Sequence, residues 1–504
     1  MVDLLERIGE TGGVDLLAVT AGGASVSWLE LDEIASRAGE ALARRGLGRG
    51  AAVGIALDGG PDAAALVVAA LREGMVPVVL NRSWWPRELR AAVESIELDL
   101  NVVAEGCADA IADLGAVLRV GDEGLLAAFE AAPKADRARP ARPGRPGRAG
   151  RWRPGSDAAL ALCSAGVWSR PTVHVLGRDQ LETYWLAAEP VDAAEHADVV
   201  VAAGGFGTAA GVRLLVESLH AGRPLRYASP DRRSVLRALA ATVAPAAGGG
   251  RSGAAPAETI ELWCAAPLAN ELALTWRRDP SSAPAGRLRE INVLYGPLWG
   301  RHSTLVRDVI GGSVRPVYVT AESGGPAAVD RPAPGEPAEP RRVGRAVPGI
   351  EIRVSGGGTD AGEVLEVTGP AMLRRGAGPP AGPGRDSGFV DDHQRVHVLG
   401  AQRDLITTAD GPVWPSVVEE ALASHRDVAD VAVTARPQPG GALLVAVLVP
   451  TDRARPPFLD DLAPALDSLE PYARPRALAI VDRLPVTASG ALHRRMLAYD
   501  EASR

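Results

Sequence analysis

A few residues in this chain could do chemistry by type. The cysteines are Cys107, Cys163 and Cys264. They are odd in number and widely spaced, which supplies neither a disulfide framework nor a metal-ligand spacing. Cys163 borders a turn of small residues in LALCSAGVWSRPTVHVLGRD, residues 160–179, and His174 lies beyond it. There, Cys163 would be a nucleophile and His174 a general base. The simpler reading comes first for both: an inert thiol and a packed or surface imidazole. An apolar run from Ala158 to Leu162 enters the turn, Pro171 follows, and a second run extends from Val173 to Leu176. That pattern is a strand, a loop and a strand. Further on, Tyr318 and Glu322 stand four residues apart at the end of another apolar run. That spacing carries no chemistry by itself.

Around these residues, 504 residues exceed one ordinary core and imply at least two domains. A hydrophobic content of 46% excludes global disorder. Net charge −8 and a pI of 5.6 argue against nucleic acid as the main partner. The N-terminus, MVDLLERIGE, is amphipathic and acidic, unlike a signal peptide. No apolar run approaches membrane-spanning length. The expected setting is the cytoplasm, without a membrane partner.

The elements alternate. Residues 25–47 open with a short strand around Trp28 and continue as a helix, with Asp32 as N-cap and Gly46 as stop. Strands at Ala51–Leu57, Met75–Leu80 and Asn101–Ala104 are separated by helices at Pro61–Arg72 and Arg87–Ile96. This order predicts a largely parallel, doubly wound sheet. Residues 131–156 are rich in Pro, Gly and Arg and read as an exposed connector. A strand at Ala197–Ala203 and a helix at Ala209–His220 follow, then a Gly/Ala loop at 246–256. Further strands are expected at Ile260–Cys264, Ile291–Tyr295 and Val314–Tyr318, and a loop from Arg374 to Arg385. The last hundred residues read as a helix (Val413–Ser424), two strands (Val428–Ala435, Leu443–Pro450), a helix (Phe458–Leu469) and a strand (Ala477–Val481).

Five stretches carry a resemblance to the adenylate-forming superfamily of acyl-CoA synthetases, peptide-synthetase adenylation domains and luciferases. Residues 164–173 resemble the phosphate loop T-S-G-T-T-G-x-P-K-G. Tyr318 to Ser323 resembles Y-G-x-T-E-S. VGRAVPGIEIRV with AGEVLEVTGPAML, within 343–373, resembles V-G-x-P-x-P-G-x-E and G-E-L-x-V-x-G-P. RDSGFVDDHQRVHVLGAQRDLI resembles the segment ending G-R-x-D-D-x-I, and LPVTASGALHRRML resembles L-P-x-T-x-S-G-K-x-x-R-x-x-L. Together they extend from about residue 25 to 497.

The resemblance implies an α/β fold. Its large N-terminal domain, 1–401, has doubly wound subdomains and a small β-barrel-like subdomain; a small α+β C-terminal domain follows, 402–504. It also implies site roles. Ser164 and Gly166 belong to the phosphate loop, Tyr318 lies near adenine, Glu322 holds magnesium, Asp386 grips the ribose, and Arg403 is a hinge. The family lysines fall at Thr172 and Ala491, and a phosphate-binding arginine at Ala401. In the loop, Ala165, Val167 and Trp168 replace hydroxyls, while Ser169 and Val173 replace glycines. The expectation is a homologue from specialised metabolism that has lost ATP-dependent carboxylate adenylation and needs no cofactor. It would bind an acyl group, a thioester, a carrier protein or a partner enzyme. One alternative is an active acyl-CoA or acyl-carrier ligase that uses ATP and Mg, with Arg170, Arg385, His493 or Arg494 as substitute cations. The other is a structural assembly subunit.

Overall fold

The computed structural model describes residues 17–21, 24–132, 151–164, 172–186, 197–241, 259–284, 286–310, 312–333, 336, 339, 341–356, 363–376, 386–487 and 489–500. Most of the expected connector, the turn 165–171 with Gly166 and Arg170, the Gly/Ala loop and 377–385 with Arg385 lie outside them. The chain divides into two compact units. The first holds 1–261, 319–325 and 370–382; the second holds 262–318, 326–369 and 383–504.

The first unit is built on a seven-stranded sheet. Its order is Arg374–Arg375, Thr172–Gly177, Ala158–Ser164, Val76–Val79, Ala52–Ala56, Leu100–Ala104 and Val117–Val120. From Ala158–Ser164 onward the neighbours are parallel, as the alternation of strands and helices predicts. The helix Pro61–Arg72 has Pro at its first turn, and every residue from Ala63 to Leu71 is buried. A second set of strands runs Val199–Ala203, Leu225–Tyr227, Leu17–Ala21 and Ala24–Ser27, the last pair antiparallel.

Two expectations here need correction. The first helix spans Trp28–Arg44, so Trp28 is helical and Ser27, not Asp32, is the N-cap. Ser27 and Glu30 form a capping box: Glu30 N–H donates to Ser27 Oγ at 3.2 Å, and Ser27 N–H donates to Glu30 Oε2 at 2.7 Å. Asp32 instead pairs with Arg72 at 2.5 Å. The stretch from Arg374 to Arg385 is not wholly loop, because Arg374–Arg375 forms an edge strand against Thr172–Gly177.

The second unit carries Leu288–Leu294 parallel to residues 313–317, the first part of the strand Ser313–Thr320, then short antiparallel strands. Among these, Glu351–Ser355 pairs with Val364–Thr368, and Asp386–Val390 with Val396–Ala401. Its C-terminal part is a three-stranded sheet. Val428–Gln438 is antiparallel to Gly441–Pro450, which is parallel to Ala477–Ile480. The helix Pro415–Ala423 packs Val418 and Leu422 into its core. The expected helix Phe458–Leu469 is instead a 3-10 turn, Asp460–Leu462, and a single helical turn, Ala463–Leu466. Pro464 lacks an N–H, and its ring clashes with the preceding turn, which accounts for the break. Among the described residues, no helix is long and apolar enough to cross a membrane.

One buried carboxyl sets a pH dependence. Asp430 Oδ1 accepts from Trp299 Nε1 at 3.1 Å and from its neighbour Val431 N–H at 3.0 Å. Burial pushes the carboxyl up to about 7 in spite of these donors. Its folded pKa therefore exceeds the unfolded value of about 3.9. The contribution is fully present below about pH 4 and lost as pH rises through about 7. Asp430→Asn should keep both hydrogen bonds and flatten that slope, by a few kcal/mol across the window. Urea melts from pH 4.5 to 8 read this directly. An unchanged slope in the variant would exclude Asp430 as the titrating group.

Candidate active site

In the first unit, the two strands flanking the loop are antiparallel, with Ser164 opposite Thr172 and Leu162 opposite His174. Side chains alternate across a strand, so Ser164, Thr172 and His174 share one face. Arg375 pairs with His174 from the other side and joins that face. Ser164 is half-buried, while Thr172 is 8% and His174 2% exposed. Ser164 Oγ lies 2.9 Å from His174 Nε2.

Glu322 approaches the same histidine from the turn after Val319. Ser323 N–H donates to Thr320 Oγ1 at 3.0 Å, Thr320 N–H donates to Ser323 Oγ at 3.2 Å, and Ser323 Oγ donates to Gly325 O at 2.6 Å. Gly324 has φ +65, and a Cβ there would meet Leu373 and Trp185 at 3.0 Å. The Glu322 carbonyl accepts from Leu373 N–H at 2.7 Å. Burial holds the His174 imidazole below its ordinary range; the Glu322 carboxylate opposes this and the Arg375 guanidinium adds to it. The imidazole is therefore neutral at pH 7. Burial also pushes the Cys163 thiol up to about 12, so it is protonated and a poor nucleophile.

In the second unit, Tyr318 Oη donates to Asp386 Oδ2 at 2.6 Å. Asp386 stands opposite Ala401 across the strand pair, so the position resembling the family arginine faces this carboxylate with only a methyl group. Arg403 lies in the 3-10 turn Gln402–Asp404. Ala491 closes a small turn by accepting from Thr487 N–H at 2.7 Å, and Gly490 within it has φ +82. Three residues on, Arg494 is already engaged. Its guanidinium donates to Glu419 Oε1 and Oε2 at 2.6 and 2.9 Å and lies 3.6 Å from Asp404.

Residues 5–163 match the family model of AMP-binding enzymes, and residues 417–491 match that of the AMP-binding enzyme C-terminal domain. The chain belongs to the adenylate-forming superfamily. It is 35% identical over 114 residues to a 4-chlorobenzoate–CoA ligase of Arthrobacter sp, covering 22% of each chain. It is 27% identical over 280 residues to an acetyl-coenzyme A synthetase of Mycobacterium tuberculosis, covering 47% of this chain and 42% of that one. The aligned part thus spans about a fifth of the first of these relatives and under half of the second. Solved structures match along the whole chain, among them the following two. The anthranilate CoA ligase AuaEII with anthranoyl-AMP gives a TM-score of 0.78 at 17% identity, covering 100% and 98% of the two chains. ATP-bound MatB from Rhodopseudomonas palustris gives 0.76 at 23%, covering 100% and 99%. At these identities the likeness establishes the fold: a large N-terminal α/β domain and a smaller α+β C-terminal domain.

Of the residues singled out by the family pattern, Ser164, Thr172 and Glu322 fall in the first unit, and Tyr318, Asp386, Ala401, Arg403 and Ala491 in the second. Gly166 lies outside the described residues. The sequence reading missed the Ser164–His174 bond and the place of Arg375. The first was available in principle, because a hairpin that pairs 164 with 172 must pair 162 with 174. The second was not, since a two-residue strand in a Gly/Pro-rich run leaves no periodic signal.

Proposed function

We propose that this adenylate-forming-superfamily chain binds an acyl group as a thioester or carrier-bound arm and does not adenylate carboxylates. The observation that carries the reading is the environment of the three positions where the family pattern has cations. Thr172 is buried at the start of its strand. Ala401 presents a methyl group to Asp386. Ala491 sits in a turn whose neighbouring cation, Arg494, is held by Glu419. A triphosphate needs donors and cations around its charge, and these residues do not fit it. Glu322 and Asp386 keep their carboxylates, but Asp386 takes the Tyr318 hydroxyl.

A second reading, a ligase with rewired ATP contacts, is favoured by one observation. Arg375 stands on the face that carries Ser164 and Thr172. The test is parallel calorimetric titration with an S-acyl pantetheine and with ATP–Mg. The first reading predicts saturable heat with the thioester alone. Saturable heat with ATP–Mg, lost in Arg375→Ala, would establish the second.

A further inference from the structure

We propose that Ser164 and His174 form a nucleophile–base pair that transfers an acyl group from a thioester to the serine hydroxyl and then to water. The inference rests on the thioester reading above and adds an activity to it. His174 lies one residue beyond the stretch 164–173 that resembles the family's phosphate loop.

The geometry supports each role. Ser164 Oγ is 2.9 Å from His174 Nε2, within reach for direct proton transfer. Ser164 is partly open to solvent while His174 lies beneath it, 2% exposed, with its ring fixed by the sheet. The imidazole is neutral at pH 7, the form that accepts a proton. Glu322, positioned by the Thr320–Ser323 turn, is the acidic group that stabilises the imidazolium once it forms. Arg375 faces His174 with the opposite effect, which limits the proton's residence and favours its release to a leaving group.

Ser164 Oγ attacks the thioester carbonyl carbon while its proton passes to His174 Nε2. The C–S bond breaks, the sulfur takes the proton from His174, and a free thiol leaves an acyl-serine ester. Water then attacks the ester, His174 accepts its proton, and the C–Oγ bond breaks. The products are a carboxylic acid and Ser164 with its proton restored. Nothing is oxidised or reduced.

The experiment uses the full chain with S-acetyl-N-acetylcysteamine, following thiol release, and in parallel a fluorophosphonate probe followed by peptide mass mapping. Thiol release should fall by about 10²-fold or more in Ser164→Ala and in His174→Gln. The probe should label Ser164 in the wild-type chain and label it far more slowly in His174→Gln. The wild-type rate should be level from pH 7 to 8.5 and fall on acidification below the ordinary histidine range. Ser164→Cys should retain measurable turnover. Absence of a Ser164 adduct, or equal labelling with and without His174, would overturn the proposal and leave the pair a packing contact. Because labelling is read on the wild-type protein, a variant that fails to fold does not decide the matter. If the thioester binds in the titration and is not cleaved, this inference fails while the proposed function stands; if the thioester does not bind, the proposed function itself fails.

Discussion

ATP–pyrophosphate exchange should stay at background in the double variant Thr172→Lys with Ala491→Lys, across a panel of aliphatic and aromatic carboxylates. In the family pattern both positions are lysine, and each electrostatic donor at a transition state is worth about 3–4 kcal/mol, or 10²- to 10³-fold in rate. Such groups act as a unit, so replacing two does not restore two factors independently. The surroundings are also wrong for them. A lysine at 172 begins from a site 8% exposed, where an ammonium is poorly solvated. Val173, a glycine in the pattern, is fully buried in a strand paired with Cys163. Val167 and Trp168 bring no hydroxyl. Exchange measurably above that of the wild type would mean that charge was all the site had lost.

Glu419→Ala should strongly destabilise the C-terminal sheet. Glu419 is 3% exposed and carries three bonds: both oxygens accept from Arg494, and Oε1 also accepts from Val433 N–H at 2.8 Å. Its removal takes both carboxylate oxygens from a guanidinium whose side chain is 24% exposed, leaving it Asp404 and the Val433 carbonyl, and orphans a backbone donor on the strand Val428–Gln438. Breaking a buried pair from one side costs about 3–5 kcal/mol. The expected result is a loss of that size in urea melts. Arg494→Met should cost a comparable amount, because it leaves the Glu419 carboxylate, 3% exposed, without its guanidinium. A loss below about 1 kcal/mol for Glu419→Ala would contradict the assignment of Glu419 as the anchor.

Local pattern made much of this architecture legible. Pro61–Arg72 was readable at both ends, because a glycine and a proline mark its start and its apolar run stops at Glu73. The parallel strands around Ala52–Ala56 followed from their alternation with helices. Ser27 was overlooked as a cap because the strand-like run around Trp28 masked the Ser-x-x-Glu box. The helix over 458–469 followed hydrophobic spacing and ignored Pro464.

At the site, the limits were different. Residue identity showed which family cations are missing, but not what the remaining groups do. That Tyr318 holds Asp386, that Glu419 occupies Arg494, and that Arg375 faces His174 all depend on pairings between distant parts of the chain. Hydrophobic periodicity does not encode such pairings. The Ser164–His174 bond was nearer to hand, since it follows once the hairpin register is known.

Isothermal titration of the wild-type chain with ATP–Mg most directly tests the claim that the nucleotide chemistry is gone. With ligand raised to the millimolar range at moderate salt, only heats of dilution are expected, and an S-acyl pantetheine run as the comparison should give a saturable isotherm. Saturable binding of ATP–Mg with a micromolar dissociation constant would contradict the account.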